Sequence, residues 1–380
     1  MHGCRLGVFC QAHQRIYPTF NRNRMTEQVQ AALFRPKTGL ALELLSLPSP
    51  DVGEVLVDVL GCTICGSDLH TIDGRRAADG PTILGHEIVG RVKTIADAAT
   101  DMAGRPLAVG DRVTWAVVAA CGDCFFCQRD LPQKCLHATK FGHQPLATGR
   151  ELVGGLAEVC LLPRATSIVT LPDELPLAVA CPASCATATS AAAVQSLGHV
   201  RGGEFVVFGL GMLGLSTIAM LATAGAARVV GVDPSPQRCQ LALRFGASQT
   251  CMPDELVTLA PRWGFDAAIE MSGHPAAFDA AWQTTRTGGT LVLVGSVFPT
   301  AGVPVELEKI VRRQLTIRGI HNYAPTHLAM AVDFLARHHS QFPFAECVER
   351  WVALADLNTA LATSRNGAIR VGVRPHATDG

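Results

Sequence analysis

Cys121, Cys124, Cys127 and Cys135 fall within fifteen residues, in the stretch CGDCFFCQRDLPQKC. The spacing is C-x2-C-x2-C-x7-C. Four thiolates at that spacing can close a tetrahedral Zn²⁺ shell with no position left for water, so the metal would staple a loop and not react. An iron–sulfur cluster uses the same ligands, and a nucleic-acid-binding zinc ribbon is a further reading. A net charge of +0 and the absence of a basic stripe count against the ribbon.

A second set of metal-ligand types is spread along the chain. CTICGSDLH carries Cys65, Ser67, Asp68 and His70; LGHEIVG (84–90) carries His86 and Glu87; ACPASCATATSAAAV carries Cys181 and Cys185. A catalytic zinc takes three protein ligands and keeps one position open. Cys65 and His86 supply two, and either Cys181 or Cys185 can supply the third. Taken alone, His86 and Glu87 could equally be surface residues that open a strand after the Gly85 turn.

A third constellation suits a pyrophosphate. FVVFGLGMLGLS (205–216) puts Gly209, Gly211 and Gly214 between a buried strand and a helix that opens with Met212 and Leu213. The first glycine permits the tight turn, the second lets the backbone approach the anion, and the third lets helix and strand pack closely. The helix N-terminus presents free N–H groups and a positive dipole end. Asp233 closes the next strand, 19 residues beyond Gly214, where an acid accepts the ribose hydroxyls and repels a 2′-phosphate. NAD is therefore favoured over NADP, although Arg238, five residues on, could reach a phosphate.

These groups need two cores to hold them. A chain of 380 residues suggests two domains. With 48% hydrophobic and 17% charged residues it is globular and not disordered. Neither nucleic acid nor membrane is an expected partner, since no charge run or uninterrupted spanning segment occurs. Fourteen cysteines without a convincing signal peptide point to metal chemistry in a reducing cytoplasm. Residues 1–24 carry four arginines and no acid; they read as an extension ahead of Met25.

From about 31 to 182 the pattern is β-rich. EVLVDVLGC (54–62), HEIVGRVKTIA (86–96) and DRVTWAVVAA (111–120) are β-branched runs between turn residues. ATATSAAAVQSL (186–197) then reads as a helix ending at Gly198. Beyond it strands alternate with helices: EFVVFG, RVVGVD, FDAAIEMSG, TLVLVGS and LTIRGI are the strands, and PAAFDAAWQTTRTGG (275–289) is read as one of the helical runs. Alternation at this spacing predicts βαβ units and a parallel sheet. The tail from about 324 adds a helix and a short β-like end, AIRVGVRP.

From about 26 to 375 the chain resembles the zinc-containing medium-chain alcohol dehydrogenases, through CGSDLH, GHE, the four-cysteine lobe, GGLAEV (154–159) and the glycine fingerprint. The resemblance implies an α/β fold. A GroES-like catalytic domain (25–185 and 324–380, with a structural zinc lobe at about 118–140) is interrupted by a Rossmann domain (186–323). Zinc lies in the cleft beside nicotinamide. It further implies Cys65 and His86 as catalytic zinc ligands, with Cys185 as the third, because Cys185 lies 24 residues before Gly209. Glu87 is then the near-metal glutamate, Asp68 the acid that orients the zinc histidine, and Ser67 and His70 the proton relay. The expected reaction is hydride transfer between a small alcohol and NAD by a homodimer or homotetramer. KFGH (140–143), PASCATATSAAA (182–193) and IRGIHNYAP (317–325) resemble a clade associated with phosphonate catabolism. In that reading His143 and His321 meet an anionic substrate group, helped by a nearby arginine. Polyol and threonine dehydrogenases share CGSD and GHE but usually carry Glu in the place of Cys185. A zinc-free quinone-reductase-like enzyme and a non-catalytic NAD- or zinc-binding protein are the remaining alternatives.

Overall fold

A computed structural model describes residues 27–376. The extension read at 1–24 lies outside them. The first half is built of β1 (Gln28–Arg35), β2 (Gly39–Ser46), β3 (Val55–Thr63), α1 (Gly66–Ile72), β4 (Thr82–Ile83), β5 (Glu87–Ile95), β6 (Arg112–Trp115), β7 (Val118–Ala119), β8 (Thr139–Lys140), β9 (Val159–Leu162) and β10 (Ile168–Thr170). The run read at 111–120 is thus two strands, β6 and β7. β3 sits inside its sheet, with β5, β9 and β18 (Arg370–Arg374) all paired to it. That explains why VLVDVLGCT reads as almost continuously apolar. β7 and β8 pair and bracket the cysteine lobe. The segment CGSDLH forms α1, a helix that the β-rich pattern does not announce.

The second half contains α2 (Leu177–Ala180), α3 (Ala186–Gln195), β11 (Glu204–Phe208), α4 (Met212–Thr223), β12 (Arg228–Val232), α5 (Pro236–Arg244), β13 (Gln249–Cys251), α6 (Leu256–Leu259), β14 (Phe265–Glu270), α7 (Pro275–Thr284), β15 (Thr285–Leu293), α8 (Leu307–Arg313) and β16 (Thr316–Gly319). The sheet order is β13-β12-β11-β14-β15-β16, and every neighbouring pair is parallel. Strand order reverses between β11 and β14, which opens a crevice at their C-terminal ends. This is the Rossmann arrangement.

One helical run is shorter than its sequence suggests. α7 stops at Thr284, and TRTGG belongs to β15. The Thr284 and Thr285 hydroxyls donate to the carbonyls of Ala280 and Ala281, each at 2.7 Å, and so close the last helical turn. Gly288, with φ +72°, then takes a left-handed conformation that a continuing right-handed helix excludes.

The tail returns to the first half. After α9 (Pro325–His338) come β17 (Val348–Ala353), α10 (Leu357–Arg365) and β18. β18 lies between β3 and β17, so the last strand completes the first sheet. α9 shares a core with α3 and α4: Leu328, Ala331 and Leu335 pack with Ala188, Ala191 and Ile218. No single helix among the described residues is long and apolar enough to cross a membrane.

Gly154 fixes the approach of one loop to another. A Cβ there would lie 2.0 Å from the Ile83 carbonyl oxygen and 2.9 Å from that of Leu84, both backbone. Gly154→Ala is expected to destabilise by about 2 kcal/mol, because backbone can yield only by shifting. Gly302→Ala, where a Cβ meets nothing within 4 Å, is the control. Urea midpoints of the two variants check this; equal midpoints would refute it.

Candidate metal and cofactor site

Two turns carry the first two metal-ligand candidates, and one carboxylate joins them. Cys65 is the N-cap of α1, in extended conformation. Asp68, three residues on, accepts the Cys65 N–H through Oδ2 at 2.9 Å. Its Oδ1 accepts the Gly85 N–H at 3.1 Å and lies 3.3 Å from His86 Nδ1. Gly85 adopts φ +87°, and a Cβ on it would meet Cys62 Sγ at 2.7 Å. The glycine before His86 is therefore demanded by both backbone and space.

The ligand atoms of Cys65, His86, Glu87 and Cys185 all lie within 4.8 Å of one another. Cys185 reaches this cluster from the turn before α3. Cys181 does not; it is fully buried and its thiol faces the Gly61 carbonyl at 3.4 Å. Glu87 is already engaged. Its Oε2 accepts from Thr63 Oγ1 at 2.6 Å and Arg370 Nε at 2.7 Å, and its Oε1 accepts from Arg370 Nη2 at 2.8 Å. Two thiols and one imidazole remain free to bind, which is the donor set of an open zinc site.

The electrostatics suit a cation. The hydrogen bond from Cys185, with the charges of Arg370 and His86, holds the Cys65 thiol well below its ordinary range despite burial. The same bond, and burial, push Cys185 well up. Burial disfavours charge on His86 and Asp68, yet their mutual attraction raises the imidazole well above its usual pKa and lowers the carboxyl. Burial raises Glu87, with Arg370 pulling the other way.

Ser67 Oγ lies 3.3 Å from His86 Nε2. His70 is one turn further along α1, its ring 4.4 Å from that of Phe298. Among the described residues no hydrogen bond joins Ser67 to His70.

Cys121, Cys124, Cys127 and Cys135 converge as a second cluster. Sulfur separations are 3.4 Å (Cys121–Cys135), 3.5 Å (Cys124–Cys127) and 4.0 Å (Cys121–Cys127). A tetrahedron with Zn–S bonds of about 2.3 Å has edges of about 3.8 Å, so the cage fits zinc. The N–H groups of Cys121 and His137 point at Cys135 Sγ, at 3.2 and 3.3 Å.

At the crevice, Gly209 has φ +86°. A Cβ on Gly214 would lie 2.0 Å from the Gly209 carbonyl oxygen, whereas one on Gly211 would meet nothing within 4 Å. The space over Gly211, the N-cap of α4, is open for a pyrophosphate; Met212 and Leu213 begin the helix. Asp233 is buried and held by the N–H groups of Leu210 (to Oδ2, 2.8 Å) and Ser235 (to Oδ1, 2.9 Å). Arg238 donates to the Gly367 carbonyl at 3.1 Å, in the loop before β18.

One cation, Arg76, stands near the first cluster by way of His143, and a second, Lys134, meets His321. His143 lies with its ring 5.1 Å from that of His86, and its Nε2 accepts from Arg76 at 3.0 Å. His321 Nδ1 accepts from Lys134. Burial first, then neighbouring positive charge, lowers His143 to about 3 and His321 to about 4.

Sequence reading does not find Arg370, Thr63, Arg76, Lys134, Ser184 or Tyr323. Ser184 Oγ donates to the His86 carbonyl at 3.2 Å, and Tyr323 donates to the Ser184 carbonyl while accepting from Val117 N–H at 3.2 Å. The one available signal was an arginine amid the apolar residues of AIRVGVRP.

Comparison with known proteins shows the family and the fold. Residues 51–173 match the alcohol dehydrogenase GroES-like domain, and residues 212–337 match the zinc-binding dehydrogenase domain. The geraniol dehydrogenase of Castellaniella defragrans is 30% identical over 366 residues, covering 90% of this chain and 96% of that one. An alcohol dehydrogenase of Thermotoga maritima superposes with a TM-score of 0.86 at 24% identity, over 92% of this chain and 100% of that one, and shares the fold. A Sinorhizobium meliloti protein whose structure holds NADP superposes at 0.80 with 25% identity, over 92% and 100%. With these matches on both halves, the chain belongs to the zinc-containing medium-chain alcohol dehydrogenases and is an oxidoreductase of that family.

Proposed function

We propose that the chain oxidises a small alcohol bearing an anionic, phosphonate-type group, with NAD as acceptor. The observation that carries the reading is the convergence of Cys65, His86 and Cys185 while both oxygens of Glu87 are taken. A zinc ion held by these three residues supplies Lewis acidity that lowers the alcohol's pKa, and the nicotinamide supplies the hydride acceptor.

The chain's own residues do the rest. Asp68, 3.3 Å from His86 Nδ1, orients the ring by its charge. Ser67 takes the alcohol proton, and His70, which is not hydrogen-bonded to Ser67, serves the later step of a relay that the cofactor ribose would bridge. Glu87, tied to Arg370, keeps a negative charge next to the ligands without competing for the metal. Cys121, Cys124, Cys127 and Cys135 hold a structural zinc. Gly209, Gly211 and Gly214 cradle the pyrophosphate, and Asp233 accepts the adenosine ribose hydroxyls; Arg238 lies beside them.

The catalytic unit comprises 25–185 and 324–380, and the nucleotide unit 186–323. Arg76 supports the anionic substrate, since it is half-buried and no carboxylate among the described residues pairs with it. β16 is an edge strand with all four residues exposed, which suits assembly into a homodimer or homotetramer.

NAD reduction across simple alcohols, polyols, threonine and hydroxyalkylphosphonates tests the reading. The phosphonates are expected to react selectively. Cys185→Ala should lower kcat/KM by at least about 10²-fold and lose one of about two zinc ions per chain. Turnover of neutral alcohols alone would remove the phosphonate assignment and leave the metal assignment standing. Full zinc content in Cys185→Ala, with loss in Cys181→Ala, would reverse the choice of ligand.

Asp233→Ser is expected to raise KM for NAD about 10- to 100-fold and to narrow its preference over NADP, because hydrogen bonds to a charged acceptor are lost. Unchanged KM ratios for the two cofactors would count against Asp233 as the ribose acceptor.

A further inference from the structure

The cysteine lobe carries a lysine that a staple does not need. Lys134 stands immediately before Cys135, and its ammonium donates to His321 Nδ1, on the segment that follows β16. Arg76, after α1, donates to His143 Nε2 at 3.0 Å, and the His143 ring is 5.1 Å from His86. Guanidinium and ammonium groups only donate hydrogen bonds. His143 Nε2 and His321 Nδ1 are therefore acceptors, so both rings are neutral and carry their proton on the other nitrogen. Each imidazole has one N–H left to offer: Nδ1–H on His143 and Nε2–H on His321.

Charge in this region is one-sided. Val117 joins the two arms: its N–H donates to Tyr323, two residues after His321, at 3.2 Å, and its carbonyl accepts the N–H of Phe141, two residues before His143, at 3.1 Å. Arg76, Lys134 and Lys140 all lower the His321 pKa by their charge. No carboxylate among the described residues lies within ion-pair distance of any of the three. The acid that Arg76 senses most is Asp68, whose oxygens are committed to Cys65, Gly85 and His86. Cations without a carboxylate partner, one of them reaching the open ligand cluster through His143, call for an anion.

We propose that the cysteine lobe is a substrate-recognition element. Through Lys134 and the His321 that it fixes, it forms one arm of a clamp whose other arm is Arg76 with His143, and the clamp takes a tetrahedral oxyanion of the phosphonate or phosphate class. This rests on the reading that the cleft oxidises an anionic alcohol. The lobe has little apolar support of its own: Phe125, Leu131 and Leu136 are all exposed. Its four-cysteine cage is thus what holds Lys134 in position, and the lobe metal becomes coupled to substrate choice.

The test compares the zinc-loaded full chain with Lys134→Ala and Lys134→Arg. KM is measured for a hydroxyalkylphosphonate and for a neutral alcohol of the same chain length. Inorganic phosphate and methylphosphonate serve as competing anions. Lys134→Ala is expected to raise KM for the phosphonate about tenfold relative to the neutral alcohol, with kcat changing little, and to weaken inhibition by at least one of the anions. Lys134→Arg should restore part of the loss. Weakened inhibition by methylphosphonate alone assigns the phosphonate class, and by both anions the wider class. A change equal for the two substrates, or none, overturns the proposal and leaves the lobe a staple. A wild-type chain that handles both substrates alike overturns the underlying reading as well; selectivity for the phosphonate in the wild type with an unaffected Lys134→Ala overturns only the lobe's part.

Discussion

The site depends on one buried carboxylate. Asp68 is 1% exposed, and each of its oxygens has work on a different turn. Oδ2 holds the Cys65 N–H, and Oδ1 holds the Gly85 N–H and faces His86. An ionised carboxyl in such a place is unfavourable unless it is paired and hydrogen-bonded. Here two N–H donors hydrogen-bond it and the His86 ring, 3.3 Å away, pairs with it by charge; these three contacts tie Cys65 to His86. The helix α1, the left-handed Gly85 and the start of β5 are arranged around that acid.

A second buried pair makes the site depend on the whole chain. Glu87 and Arg370 are 283 positions apart and both almost without exposure. Arg370 reaches Glu87 because β18 is inserted beside β3 in the first sheet. Its guanidinium meets the carboxylate with two donors and also lies 3.7 Å from Cys65 Sγ. Bidentate geometry is what offsets the desolvation of both ions. The pair also occupies both oxygens of Glu87, so the two thiols and the imidazole are the ligand atoms left free in the cluster.

What was legible in the sequence follows the range of the interactions. The cysteine lobe and the glycine turn are closed by residues close in sequence, so spacing alone reveals them. The parallel sheet was readable because strands and helices alternate. Long-range partners were not. Nothing in AIRVGVRP tells which residue Arg370 will meet, and Lys134 looks like any surface lysine until His321 arrives beside it. The choice between Cys181 and Cys185 turns on backbone direction in a four-residue turn, where one thiol faces the Gly61 carbonyl and the other the cluster. The helical reading of TTRTGG failed for a local reason: threonine hydroxyls that bond back to the helix end it as readily as they tolerate it.

The cleft chemistry also requires that metal ligands and nucleotide crevice keep a fixed relation, and the structure has a link suited to this. Ser184 precedes Cys185 and donates to the His86 carbonyl, while its own carbonyl accepts from Tyr323. Tyr323 follows the last strand of the parallel sheet and takes the Val117 N–H, next to the strand that leads into the cysteine lobe. One buried phenol therefore joins the segment after the parallel sheet to the turn before Cys185 and to Val117, ahead of β7. Hydride transfer demands near-contact geometry between groups held by different units. A hydrogen-bonded junction of buried backbone groups, each costly to leave unpaired, resists sliding between the units more than apolar packing alone would.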